Sequence, residues 1–139
     1  MTNDKKGGAE RCEFPVQMDL LPGILTAKVY FHGVDSPVGP VPCWTYVSEG
    51  FLGLGQKEVV FTLRRQKDQQ PGDFPQDPFP FFRSIYPLAE QGQRVDAGDV
   101  TEFADPHFLG RRVVAYVPPQ PLANVAIPAP ALAAVLLTD

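Results

Sequence analysis

Little in this chain of 139 residues is equipped to bind metal, staple loops or follow a phosphate backbone. It has two cysteines, Cys12 and Cys43, too few for a disulfide framework in a chain long enough to build its own core. Cys43 reads as a small buried apolar residue; a Cys12–Cys43 bridge is the alternative. The two histidines, His32 and His107, are far apart, and no Cys-x-x-Cys pair accompanies them. Asp105-Pro106-His107 is the closest carboxylate–imidazole pairing, and it reads as a solvated loop rather than a metal site. No cofactor is expected. Positive charge is sparse: Arg64, Arg65 and Lys67 form the densest basic piece, Asp68 follows at once, and the net charge is −4. Nucleic acid and anionic membrane surfaces both need clustered Lys and Arg, so neither is an expected partner. No apolar run is long enough to span a bilayer, and MTNDKKGGAER lacks the apolar segment of a secretory signal. A cytoplasmic location is the expectation.

Proline is what the chain has in excess. Its 16 prolines stand between apolar runs instead of forming repeats, so they read as stops and turns. An apolar fraction of 44% with 20% charged residues is a globular composition, and it predicts one domain over residues 13–139 behind a disordered tail, residues 1–12. "ILTAKVYFH" alternates, with Leu25, Ala27, Val29 and Phe31 on one side and Tyr30 and His32 on the other, as a half-buried strand does. "GVDSPVGP" is turn chemistry, and "CWTYVS" is a second strand. In a third strand Val59, Phe61 and Leu63 share a face opposite Glu58, Val60, Thr62 and Arg64. Phe79, Phe82, Ile85, Tyr86 and Ala89 then fall at helical spacing. Asp77 is placed to cap that helix, Pro78 to open it and Gly92 to close it, while Pro87 predicts a kink or an end at Tyr86. "RVVAYVPPQ" is a further strand. "PALAAVLLT" suits either a helix or a strand buried on both faces. The acidic series Asp96, Asp99, Glu102 and Asp105 reads as a surface edge. The class is α+β, a mixed and mainly antiparallel sheet with one main helix packed on it.

The stretch "EGFLGLGQKEVVFTLRR" poses the main functional question, because glycine-rich loops can cradle phosphates. A phosphate loop needs a helix after its last glycine, so that helix N–H groups and the dipole face the anion. Here Gly55 leads to Gln56-Lys57-Glu58 and then a strand, so the glycines read as a turn. Glu58 then reads as a strand carboxylate satisfied by Arg64, a turn N–H or Lys57. No Gly-x-Ser-x-Gly elbow occurs.

The order of these residues resembles a known family. A Cys43-Trp44 strand precedes Gly50, Gly53, Leu54, Gly55, Gln56 and Glu58; a Pro75-x-Asp77 helix carries Phe79, Phe82, Ile85 and Tyr86 and closes on Gly92; Phe108-Leu109 and a strand ending Pro118-x-x-Gln120 follow. This is similar to the domain of unknown function at the C-terminal end of Smad anchor for receptor activation and endofin. More distantly, Gly53, Gly55, Glu58, Phe61, Leu63 and Arg64 resemble the corresponding stretch of the Suppressor of fused domain. The likeness spans residues 42–138, with Gly110-Arg111-Arg112 standing where the first family has His-Gly-Gly. The zinc finger that gives those proteins lipid binding lies elsewhere in them and is not carried over.

The resemblance implies a non-enzymatic module that works by protein–protein contact, with Trp44, Gly50, Gly53, Gly55, Gln56 and Glu58 as its signature. It supplies no catalytic set. The alternatives are an immunity protein neutralising a toxin, to which acidic charge is suited, and a small hydrolase. Phe74, Phe79 and Phe81 crowd the approach to the helix and form a candidate interaction surface if exposed; a loop folded back over them would bury them instead.

Overall fold

A computed structural model describes residues 14–103 and 109–137. The proposed tail over residues 1–12, Cys12, Asp105, His107 and Phe108 lie outside the described residues. Within them the chain forms strands β1 (Val16–Leu21), β2 (Leu25–Val34), β3 (Val41–Glu49), β4 (Glu58–Arg64), β5 (Val100–Glu102), β6 (Val113–Val117) and β7 (Ala131–Leu137), with helix α1 (Pro78–Glu90) between β4 and β5. One seven-stranded sheet results, ordered β1-β2-β3-β4-β7-β6-β5. Every neighbouring pair is antiparallel except β4 and β7, which run parallel. The α+β expectation matches this architecture.

Why these segments form strands follows from their alternation. Leu25, Ala27 and Val29 point from β2 into the face that α1 covers, where they join Trp44, Tyr46, Val59, Phe61, Val114, Tyr116 and Leu132 in the main core. Tyr30, Val47 and Val60 point the other way, and Val125, Leu122 and Ile127 of the β6–β7 connection lie over them. That connection therefore covers the second face of the β2–β4 half. The ambiguous run after Pro130 is a strand: Leu132 and Ala134 are buried on the helix side, while Val135 and Leu137 are exposed on the other. The expectation of burial on both faces is corrected accordingly. β1 carries Val16, Met18 and Leu20 at strand spacing and pairs with β2, adding a strand to those expected from the sequence.

The helix keeps its predicted face and corrects two details. Phe79, Phe82, Ile85 and Ala89 are buried against the sheet. Asp77 has helical backbone angles (φ −55°, ψ −36°) and its side chain makes no cap hydrogen bond; the first turn is closed instead by Phe79 N–H donating to the Gln76 carbonyl at 3.0 Å. Nor does the helix stop at Tyr86, since it runs on to Glu90 with Pro87 inside it. Pro87 lies on the exposed side, and Ile85 and Ala89 on either side of it are anchored in the core, so packing carries the last turn across the missing hydrogen bond. The end is a Schellman closure: Gln93 N–H donates to Leu88 O at 2.8 Å and Gly92 N–H to Ala89 O at 3.0 Å.

Because Pro87 is exposed, Pro87→Ala restores a helix bond without removing packing. The variant is expected to gain about 1–2 kcal/mol in urea unfolding, the restored bond outweighing the greater freedom of the unfolded chain.

Candidate functional site

The glycine stretch is held by one carboxylate. Glu58 opens β4 and is 2% exposed. Its Oε2 accepts the backbone N–H groups of Gly50, Phe51 and Leu52 at 3.1, 3.1 and 3.2 Å. Its Oε1 accepts the Ser48 hydroxyl at 2.7 Å, and Ser48 Oγ in turn accepts Val59 N–H at 2.8 Å. The amides that a phosphate loop would aim at an anion are thus turned onto the protein's own anion, at the start of a single 3-10 turn (Leu52–Leu54). Of the partners considered for Glu58, the turn N–H groups are the ones observed; Lys57 instead bridges to Asp96 at 2.6 Å.

The other signature residues tie this connection to distant segments. Gly50 has φ +136°, and a Cβ built on it would stand 2.4 Å from the Ile24 carbonyl oxygen, so the β1–β2 turn passes where a side chain would be. Gly55 has φ +76° and lies under Arg94, whose Nε donates to Leu54 O at 2.6 Å. A Cβ on Gly53 meets nothing within 4 Å, so this member of the signature carries no steric demand. Gln56, 1% exposed, pairs edge to edge with the Val95 backbone: Val95 N–H donates to Oε1 at 2.8 Å and Nε2 donates to Val95 O at 3.1 Å. Trp44, fully buried, donates from Nε1 to Pro71 O at 2.8 Å, and Tyr46 OH donates to Pro75 O at 2.7 Å. Burial pushes the Tyr46 phenol far above its ordinary pKa, with the nearby Asp77 charge adding to the effect, so it stays a donor.

Those last two bonds decide the fate of the phenylalanines. By pinning Pro71 and Pro75 they fold the proline-rich loop back over the sheet. Phe79 and Phe81 are 3% and 1% exposed, and Phe74 is half-buried with its ring 6.5 Å from Tyr46 and 6.4 Å from Phe79. The exposed surface at Phe74, Phe79 and Phe81 is therefore corrected to core packing.

Two other features emerge from the fold. First, β4 and β7 pair only from Glu58–Ala131 to Val60–Ala133 and then part around a cleft of about 460 Å³. Consecutive residues of both strands, Val60 to Leu63 and Ala133 to Leu136, line it, with Pro119, Gln120 and Leu122 as a wall. Main-chain direction alternates along a strand. Glu58 N–H reaches Pro130 O beside β7, whereas Arg65 N–H reaches Pro42 O on the β3 side, so Thr62, two residues past the last paired position, turns its backbone groups into the cleft. Second, the face of β5–β6–β7 away from α1 is aliphatic and open, with Val100, Val117, Val135 and Leu137 exposed. Hydrophobic runs in "VVAYV" and "ALAAVLL" were the available sequence signal for both, but strand order, which makes neighbours of β4 and β7, was not readable from it.

Among titratable groups, His32 is buried beside the hydroxyl ladder of β3 and β4: its Nε2 is 2.6 Å from Thr45 Oγ1, which is 2.8 Å from Thr62 Oγ1. Thr45 is wholly buried, which removes its hydroxyl from any substrate. His32 Nδ1 has no partner among the described residues. Desolvation holds the imidazole below its ordinary pKa, only partly offset by the Gly33 backbone. The Cys43 thiol is buried and pushed up by desolvation, against the pull of the Arg64 charge. Among the described residues no three His, Cys, Asp or Glu side chains gather as a metal site, and no helix is long and apolar enough to cross a membrane.

In comparisons with known proteins, no family model and no curated protein matches the chain.

Glu58→Gln replaces an acceptor oxygen with an NH₂ group facing backbone donors and is expected to cost about 3 kcal/mol or more in chemical unfolding. Gly50→Ala is expected to lower Tm by on the order of 10 °C, while Gly53→Ala leaves it nearly unchanged. Because folding holds His32 below 6.5, the unfolded chain takes up the extra proton first as pH falls. The His32 contribution is therefore complete above pH 6.5 and lost below it. His32→Gln is expected to flatten that part of the stability–pH profile.

Proposed function

We propose that this domain is a non-enzymatic protein-interaction module of the cytosol, of the kind suggested by its resemblance to the endofin-type C-terminal domain and, more remotely, to a SUFU-like fold. The observation that carries the reading is the split between β4 and β7. A cleft with apolar walls between two strands that part after three residue pairs suits an extended segment of another protein, whose own main-chain groups can pair with the β4 edge at Thr62. Nucleic acid fits poorly, since the cleft-lining residues include no Lys or Arg. The carboxylate most suggestive of chemistry, Glu58, already accepts four hydrogen bonds, and the serine beside it is itself an acceptor from Val59. That arrangement supports binding over hydrolysis.

Gln120→Trp tests the reading, because Gln120 is an exposed wall residue whose enlargement fills the cleft without disturbing the core. Affinity capture followed by reconstitution from purified components is expected to yield one stoichiometric protein partner for the parent chain. The Gln120→Trp chain is expected to lose that partner at unchanged Tm. Measurable turnover with no partner, or binding that survives the filled cleft, contradicts the reading.

A further inference from the structure

Where β4 begins, a second pocket of about 260 Å³ opens on the face of the sheet away from α1, and it shares no lining residue with the β4–β7 cleft. Val47, Leu52, Ile127 and Pro128 give it apolar walls, and Lys28, Tyr30 and Glu49 give it polar groups. Those three groups are unused. Buried tyrosines ordinarily find a hydroxyl partner, and Tyr46 and Tyr116 do, with Pro75 O and Thr101 Oγ1. Tyr30 is 8% exposed, yet among the described residues its hydroxyl has no hydrogen-bond partner. Nor is that hydroxyl sealed in, because the fully enclosed unpartnered side-chain atoms are His32 Nδ1 and Arg65 Nε; the pocket is the open space that Tyr30 lines. Lys28 stands opposite Val47 and Glu49 opposite Thr26, so the two opposite charges project diagonally from neighbouring strands on one face. They form no ion pair with each other, whereas Lys57 and Arg112 each hold a carboxylate.

We propose that this pocket binds a free α-amino acid with an apolar side chain, such as leucine or phenylalanine. The charges select the head group. A simple carboxylate that met Lys28 would also face Glu49 and the nearby Glu58, and a simple amine that met Glu49 would also face Lys28. A zwitterion satisfies both, its carboxylate on Lys28 and the Tyr30 hydroxyl and its ammonium on Glu49. Glu58 does not compete for that ammonium, since its oxygens are already taken by four donors. The walls select the side chain, because Val47, Leu52, Ile127 and Pro128 offer it only apolar contact. Leu52, 44% exposed, gains a cover when the pocket fills. Size sets the limit: the pocket lies just below the roughly 300–1,000 Å³ of ordinary ligand sites, room for one small molecule. The inference goes beyond the protein-contact reading and does not depend on it.

Calorimetric titration of the full chain with L-leucine and L-phenylalanine, up to about 10 mM, tests the proposal. Two partly exposed ion pairs and one small apolar group predict saturable binding with Kd on the order of 0.1–1 mM, weakened by added salt. Amide resonances of Lys28, Tyr30, Glu49 and Ile127 are expected to shift along the same titration. N-acetyl-leucine, which lacks the ammonium, and leucinamide, which lacks the carboxylate as a peptide N-terminus does, are expected to bind at least tenfold more weakly. Lys28→Met and Glu49→Gln are each expected to weaken leucine by about tenfold, and Tyr30→Phe by a few fold, all at the parent Tm because none of the three groups has a partner to lose. Absence of saturable binding by either amino acid overturns the proposal. So does leucine binding that is undiminished in folded Lys28→Met and Glu49→Gln, or leucinamide binding as tightly as leucine. Gln120→Trp is expected to bind leucine like the parent, so failure of the cleft reading and failure of this one give different results.

Discussion

The whole sheet is joined at Glu58. Its side chain gathers three backbone N–H groups and a serine hydroxyl, which fixes the β3–β4 connection and the first residue of β4. Its own backbone N–H reaches Pro130 O at 3.3 Å, the contact that begins the parallel pairing with β7. Glu58 thereby starts the three-pair contact that couples the antiparallel β1–β4 meander to the β5–β7 unit. A carboxylate serves this place because a neutral acceptor would leave converging N–H dipoles weakly compensated in a buried site.

What lies beyond that joint follows from its brevity. Only three residue pairs bind β4 to β7, after which the strands part, and the cleft is the geometric result. The connection from β6 back to β7 crosses the second face of the β2–β4 half, burying Tyr30, Val47 and Val60 together with Ala131 at the start of β7, and leaving Val100, Val117, Val135 and Leu137 exposed. Two adjoining surfaces, which meet at Val135, thus come from one topological fact: a crossover that returns a strand to the middle of the sheet. The cleft offers main-chain groups between apolar walls. The open face offers aliphatic side chains alone.

Local pattern carried the sequence reading a long way. Strand alternation around Val29 and Val59, the helical stripe of Phe79, Phe82 and Ile85, and the turn character of Gly55-Gln56 are each written within a few residues, and the structure has them. The misses are tertiary. Whether Phe81 is exposed depends on Trp44 and Tyr46 pinning a loop that begins 27 residues from Trp44. Pro87 is tolerated because Ile85 and Ala89 are buried, a fact of packing that overrides the local penalty. The last strand resisted assignment because Ala and Leu serve helix and sheet equally, and only its partners β4 and β6 decide the matter. Among the signature residues, Glu58 and Gln56 proved to be anchors through bonds to residues 50–52 and 95, which spacing alone does not specify.

The most direct test of this account is native-state hydrogen exchange at the amides of Gly50, Phe51, Leu52 and Glu58. A surface turn normally exchanges by cheap local opening. If Glu58 joins the two halves of the sheet, these four amides exchange only with global unfolding, matching the core amides of β3 and β4 in free energy and in denaturant dependence. Exchange of Gly50, Phe51 and Leu52 through local opening, well below the global value while Glu58 stays protected, contradicts the central claim.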